Sequence, residues 1–151
     1  MNFGLYLNLK ERQGERRFMK NKNNIKFGEI YLVKFDGIEH EISGCRPALV
    51  VSNNIGNTYS PNVQVIPMSS SLTKAKLPTH VFIAPSKENG LTKPTIAQCE
   101  SQRVRSKSCF IKKLGTLSDS DMRKIAVAVN ISTPLVAYLP VNLSPQTGLS
   151  F

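Results

Sequence analysis

Cysteine and histidine are scarce in this chain, and where they fall excludes whole classes of site. The three cysteines, Cys45, Cys99 and Cys109, are odd in number and form no CxxC pair. That removes a disulfide framework and a zinc cluster, and leaves small buried thiols ahead of redox centres. The two histidines, His40 and His80, are too few for a His-rich metal site, so no metal and no other cofactor is expected. No apolar run approaches the roughly 18 residues of a membrane span. The first nine residues, Met1 to Leu9, carry no basic residue ahead of their apolar stretch and are broken by Asn and Gly, unlike a secretory leader. A cytoplasmic protein with no membrane contact is therefore expected. The seven Phe and four Tyr do not form the stacking ladder of a dedicated RNA-binding sheet. Tyr59 alone falls in a loop expected near the candidate site, as a packing residue.

Acidic residues are also few, ten against twenty Lys and Arg, for a net charge of +10. Residues 1–26 hold seven Lys/Arg and two Asp/Glu, a net +5. The remaining body is also +5, which fits an anionic partner as well as a solvated surface. Residues 1–25 read as a basic, mobile N-terminal extension. Residues 26–131 read as one domain, and 132–151, with Pro134, Pro140 and Pro145, as a tail without assigned structure.

Within the domain the pattern is that of short strands. Glu29 to Phe35 is rich in β-formers between Gly28 and Asp36-Gly37. Pro47 to Val51 is a short buried strand, Asn53 to Asn57 a turn, and Asn62 to Met68 another strand. Thr79 to Ala84, Thr95 to Gln102 and Cys109 to Leu114 follow. Then the period changes from 2 to 3.6. Ser118 caps a helix, Leu117 and Met122 form a staple, and Met122, Ile125, Ala126 and Val129 make its apolar stripe. Links this short rule out βαβ crossovers and favour an antiparallel, partly closed barrel with a helix packed on it.

The chemistry concentrates in Gly44-Cys45-Arg46-Pro47-Ala48-Leu49-Val50-Val51-Ser52-Asn53 and in Pro67-Met68-Ser69-Ser70-Ser71. A fixed cation stands at the mouth of one buried strand and a hydroxyl at the exit of the next. A guanidinium matches two phosphate oxygens with its planar fork, and a hydroxyl adds a neutral donor.

These blocks, with Gly28 to Val33, Gly56 to Val65, Lys74-Ala75-Lys76-Leu77-Pro78-Thr79-His80-Val81 and Leu117 to Met122, resemble the MazF/PemK family of toxin endoribonucleases, in the same order and with similar gaps. The resemblance spans about residues 26–131. It implies an SH3-like, CcdB/PemK-type barrel with a C-terminal helix, a homodimer, a cognate antitoxin protein, and metal-independent, ribosome-independent cleavage of single-stranded RNA at short sequences. It maps the catalytic arginine onto Arg46 and the catalytic hydroxyl onto Ser69, with Ser where many relatives have Thr. Candidate substrate contacts are His40, Asn53, Ser70, Lys74, Lys76 and His80. Glu100 and Arg103 match a Glu-x-x-Arg element, read as an ion pair or an RNA contact. Arg103, Arg105, Lys107, Lys112 and Lys113 form a run without carboxylates, read as a solvated edge or as a track for RNA or an acidic antitoxin. Two other functions fit the same barrel: a CcdB-like gyrase poison that binds without chemistry, and a non-catalytic RNA-binding barrel.

Overall fold

The computed structural model describes residues 24–39, 41–72 and 77–140. Two short runs explain the whole sheet. Ala48-Leu49-Val50 and Val65 to Met68 are buried at every position, so their strands are covered on both faces. They belong to β2 (Ser43–Val50) and β3 (Asn62–Ser69), the middle of an antiparallel sheet. β1 (Glu29–Asp36) pairs β2 from Ile30↔Leu49 to Asp36↔Ser43. The helix α1 (Asn54–Tyr59) joins β2 to β3. β4 (His80–Ile83), β5 (Thr95–Gln98), β6 (Arg103–Ser106) and β7 (Phe110–Thr116) complete the order β4-β5-β3-β2-β1-β7, with β6 beside β3. β3 is the hub. One edge meets β2, while the other meets β6 along Asn62–Val65 and β5 along Met68–Ser69.

Two cores follow from the alternation of side chains. Tyr31, Val33, Phe35, Ala48, Val50, Val63 and Val65 point to one face, closed by Ile25 and Phe110. Ile30, Leu49, Ile66, Met68, Val81, Ile83 and Ala97 point to the other, under α2 (Asp119–Ser132). Ser118 caps α2 by accepting the Asp121 N–H at 3.2 Å, and Leu117 and Met122 both join the core beneath it.

Several expectations are corrected. Asn53 to Asn57 is not a turn. Asn53 accepts the Gly56 N–H at 2.7 Å and starts α1. Thr95 to Gln102 is not one strand, because a 3-10 turn at Cys99–Ser101 breaks it and β6 begins at Arg103. β2 begins at Ser43, earlier than its apolar run, because β1 supplies ladder partners to the polar residues. In α2, Ala128 takes the buried place expected for Ala126, which is exposed. A 3-10 turn at Leu135–Tyr138 lies in the segment left without structure. The sheet path ends at β4 and β7, so it does not close through hydrogen bonds. No helix among the described residues is long and apolar enough to cross a membrane.

Candidate active site

Arg46 lies in β2 opposite Val33 of β1. The β2–β3 ladder runs Val50↔Val65, Leu49↔Ile66, Ala48↔Pro67. That ladder stops at Ala48 and Pro67, two residues short of Arg46 and Ser69, and the strand alternation puts both on the face that carries Ala48 and Val50. The arginine Nε donates to the Ser43 carbonyl at 2.8 Å, which anchors the guanidinium from behind. Among the described residues no carboxylate forms an ion pair with Arg46, so its terminal nitrogens remain for an anion. Ser69 is buried, paired to Ile96 of β5, and its Oγ accepts the Ser71 N–H at 3.2 Å. That bond occupies an acceptor site and leaves the hydroxyl proton to donate. Ser70, next along the chain, is exposed.

The basic run after β5 is largely spent inside the fold. Arg105 clamps the Lys34 carbonyl with Nη2 at 2.7 Å and Nε at 3.1 Å, and also meets Asp36 at 3.4 Å. Lys107 is buried, its Nζ donating to the Thr58 carbonyl at 3.3 Å, and burial lowers its pKa from the usual lysine value. Lys113 pairs with Glu29 at 2.5 Å, and Glu29 also accepts the Tyr31 hydroxyl. Arg103 and Arg105 stack over Phe35 at 5.9 and 5.5 Å from the ring centre. Arg105 and Lys107 are thus spent within the fold, while Lys112 and Lys113 stay exposed.

Glu100 does not pair with Arg103. Its carboxylate takes the Thr79 hydroxyl at 2.8 Å and His80 Nε2 at 2.7 Å. Partial burial works to raise its pKa, but the bonds from Thr79, from its own backbone and from His80 outweigh it and hold the group below the usual range. The His80 side chain is only 7% exposed, and its Nδ1 faces the Leu77 N–H at 3.4 Å. Both ring nitrogens are therefore occupied locally. Asn53 is the cap of α1. His40, Lys74 and Lys76 lie outside the described residues. Tyr59 is exposed but sits before β3, at the opposite end of that strand from Ser69. Burial, then the Glu100 charge, push the Cys99 thiol up to about 12, so it stays protonated and inert.

A groove of about 530 Å³ opens between the end of α2 and β6, lined by Gln64, Gln102, Arg103, Ser132, Thr133 and Leu135 among others. It includes neither Arg46 nor Ser69. The exposed residue nearest Ser69 in the ladder that sequence reasoning missed is Phe82 of β4, opposite Ile96. The alternation in His80-Val81-Phe82-Ile83 could have found it, since Val81 and Ile83 are the buried pair.

An antiparallel sheet with one long helix packed on a face defines a mainly β protein. The sequence model described as "PemK-like, MazF-like toxin of type II toxin-antitoxin system" matches residues 26–133. The endoribonuclease MazF of Staphylococcus saprophyticus is 37% identical over 109 residues, covering 72% of this chain and 90% of that protein. The chain belongs to the MazF/PemK family of endoribonuclease toxins. Its fold is that of MazF from Deinococcus radiodurans (TM-score 0.61, 20% identity, 71% of this chain and 94% of that one). It is also that of a mycobacterial endoribonuclease solved in complex with its cognate antitoxin (TM-score 0.58, 24% identity, 74% and 96%).

Proposed function

We propose that this toxin cuts single-stranded RNA at short sequences, without metal or ribosome, through Arg46 and Ser69, and that a cognate antitoxin restrains it in the cytoplasm. The reading is supported by the β2–β3 register, whose last pair, Ala48 with Pro67, lies two residues from Arg46 on one strand and from Ser69 on the other. RNA supplies its own nucleophile, the 2′-hydroxyl beside the scissile phosphate. The Arg46 fork holds two phosphate oxygens and meets the charge that grows on them as the 2′-oxygen attacks. Ser69 donates its free proton to the same oxygens. The 2′-hydroxyl proton passes to solvent water and the departing 5′-oxygen takes its proton from water, because a guanidinium near neutrality neither accepts a proton nor surrenders one. The products are a 2′,3′-cyclic phosphate and a 5′-hydroxyl. Ser70 and the segment with Lys74 and Lys76 flank Ser69 in sequence and contact neighbouring phosphates. His40 and Asn53 flank the Arg46 strand in sequence and serve as further contacts, while His80 acts by fixing Glu100 and the start of β4.

The catalytic unit is residues 26–131, an SH3-like, partly closed barrel. The Arg105 clamp supports this reading, because it ties β6 to β1 across the gap that hydrogen bonds leave open. A homodimer is supported by the row Val127, Ile131, Leu135, Val136, Tyr138 and Leu139, all exposed on and after α2. The test is to map cut ends on a long RNA in EDTA. Wild-type protein yields 5′-hydroxyl ends at a recurring sequence, and Arg46→Ala yields none. Equal cutting by pure Arg46→Ala protein overturns the mechanism, and toxicity with intact RNA and broken DNA overturns the activity in favour of a gyrase poison.

A further inference from the structure

Two ladder steps lead from Ser69 to an exposed aromatic ring. Ser69 pairs Ile96 of β5, and Ile96 pairs Phe82 of β4. Residues directly opposed in antiparallel strands project to the same face, so Ser69, Ile96 and Phe82 form one row. The neighbours confirm the face. Met68, Ala97, Val81 and Ile83 all point the other way, into the core beneath α2. Ile96 is 6% exposed and makes an apolar floor, while Phe82 stands 55% exposed at its edge. Two strand spacings separate Phe82 from Ser69, about 10 Å. That is the reach from a bound phosphate to the base of a nucleotide beside it.

We propose that Phe82 is a specificity-side contact of the active site, a stacking platform for one unpaired base next to the scissile phosphate. The inference rests on the Arg46/Ser69 reading above. A ring without a polar handle reads no base edge, so it holds a base flat and leaves discrimination to other groups. Its contribution lies in binding and orientation, with no proton to move. The row also sets the direction in which the RNA lies: from the Arg46/Ser69 pair across β5 toward β4, away from the groove beside α2.

The experiment uses an RNA oligomer containing one mapped cut, with a single abasic nucleotide placed in turn at each of the positions flanking it. Wild-type protein shows a rise in KM of about ten-fold at one abasic position. Phe82→Ala shows the same rise on intact RNA, no further rise at that abasic position, and an unchanged kcat. Phe82→Tyr keeps wild-type behaviour. An unchanged KM for Phe82→Ala, or a wild type indifferent to every abasic position, overturns the proposal while leaving the endoribonuclease site standing. A Phe82→Ala protein that sediments at half the wild-type mass overturns it too, and assigns the ring to a contact between copies. A wild type that cuts no RNA in EDTA overturns the active-site reading, and this inference with it.

Discussion

Arg46 and Ser69 make different demands on their substitutes. Arg46 presents a planar fork held by the Ser43 carbonyl, and lysine offers only a point charge on a flexible stem. Arg46→Lys is therefore expected to keep RNA binding but to lose about 10²–10³ in cleavage rate, near the loss for a missing oxyanion donor. Single-turnover rates against dissociation constants check this. Ser69→Thr retains the hydroxyl and adds a methyl that fixes its rotamer, so it is expected to stay active where Ser69→Ala does not. Glu100 carries a pH signature. Its folded-state pKa is depressed, so the stability it contributes is present above the unfolded value of roughly 4.3 and is lost as pH falls through the folded one. Thermal melts between pH 3 and 6, about that value, are expected to show a steeper acid loss for wild type than for Glu100→Gln. The motif around Arg46 is legible in the sequence because a lone cation before Pro47 and an unbroken apolar run has few structural explanations. The Glu100–His80 bond is not legible, because it depends on where β4 and the Cys99–Ser101 turn meet.

At the scale of elements, the sheet needs two covers, and each can be removed separately. Ile125 of α2 is 2% exposed over the core beneath the helix. Ile125→Ala is expected to cost about 2–5 kcal/mol of unfolding free energy, read from urea curves. On the other face Arg105 of β6 reaches across to the Lys34 carbonyl of β1. Arg105→Ala removes both bonds to the Lys34 carbonyl and is expected to cost about 1.5–3 kcal/mol. Arg105→Lys restores only part, since one ammonium cannot reproduce the two-pronged grip. β1, β3 and α2 are legible because burial on defined faces imposes a period on their residues. β6 is not: Arg103-Val104-Arg105-Ser106 has no apolar period, and its arginines reach the core by stacking on Phe35. α1 is hidden for a different reason. Its Asn and Gly residues are turn formers, and the helix depends on the Asn53 cap and on Asn57, buried and bonded to Ser52.

Over the whole molecule the charge is not where a count of lysines and arginines places it. Arg105, Lys113 and Lys124 are paired with Asp36, Glu29 and Asp121, and Lys107 is buried. The folded body therefore offers fewer free cations to RNA than its sequence holds. Residues 1–23, with six Lys/Arg against two Glu, carry a net +4 of the total +10. If that segment lies along the RNA, each phosphate it neutralises adds about 0.7 to the slope of log affinity against log salt for a single strand. The measurement uses cleavage-dead Arg46→Ala protein, with and without residues 1–23, and a fluorescent RNA oligomer across a salt series. The full chain is expected to bind more tightly at low salt, with a slope steeper by about 1–3. Deleting the segment from active protein is expected to leave the cut positions unchanged, because phosphate contacts carry no sequence information. Identical slopes would confine RNA binding to the folded body. A shifted cut pattern would place part of the base readout in the segment itself.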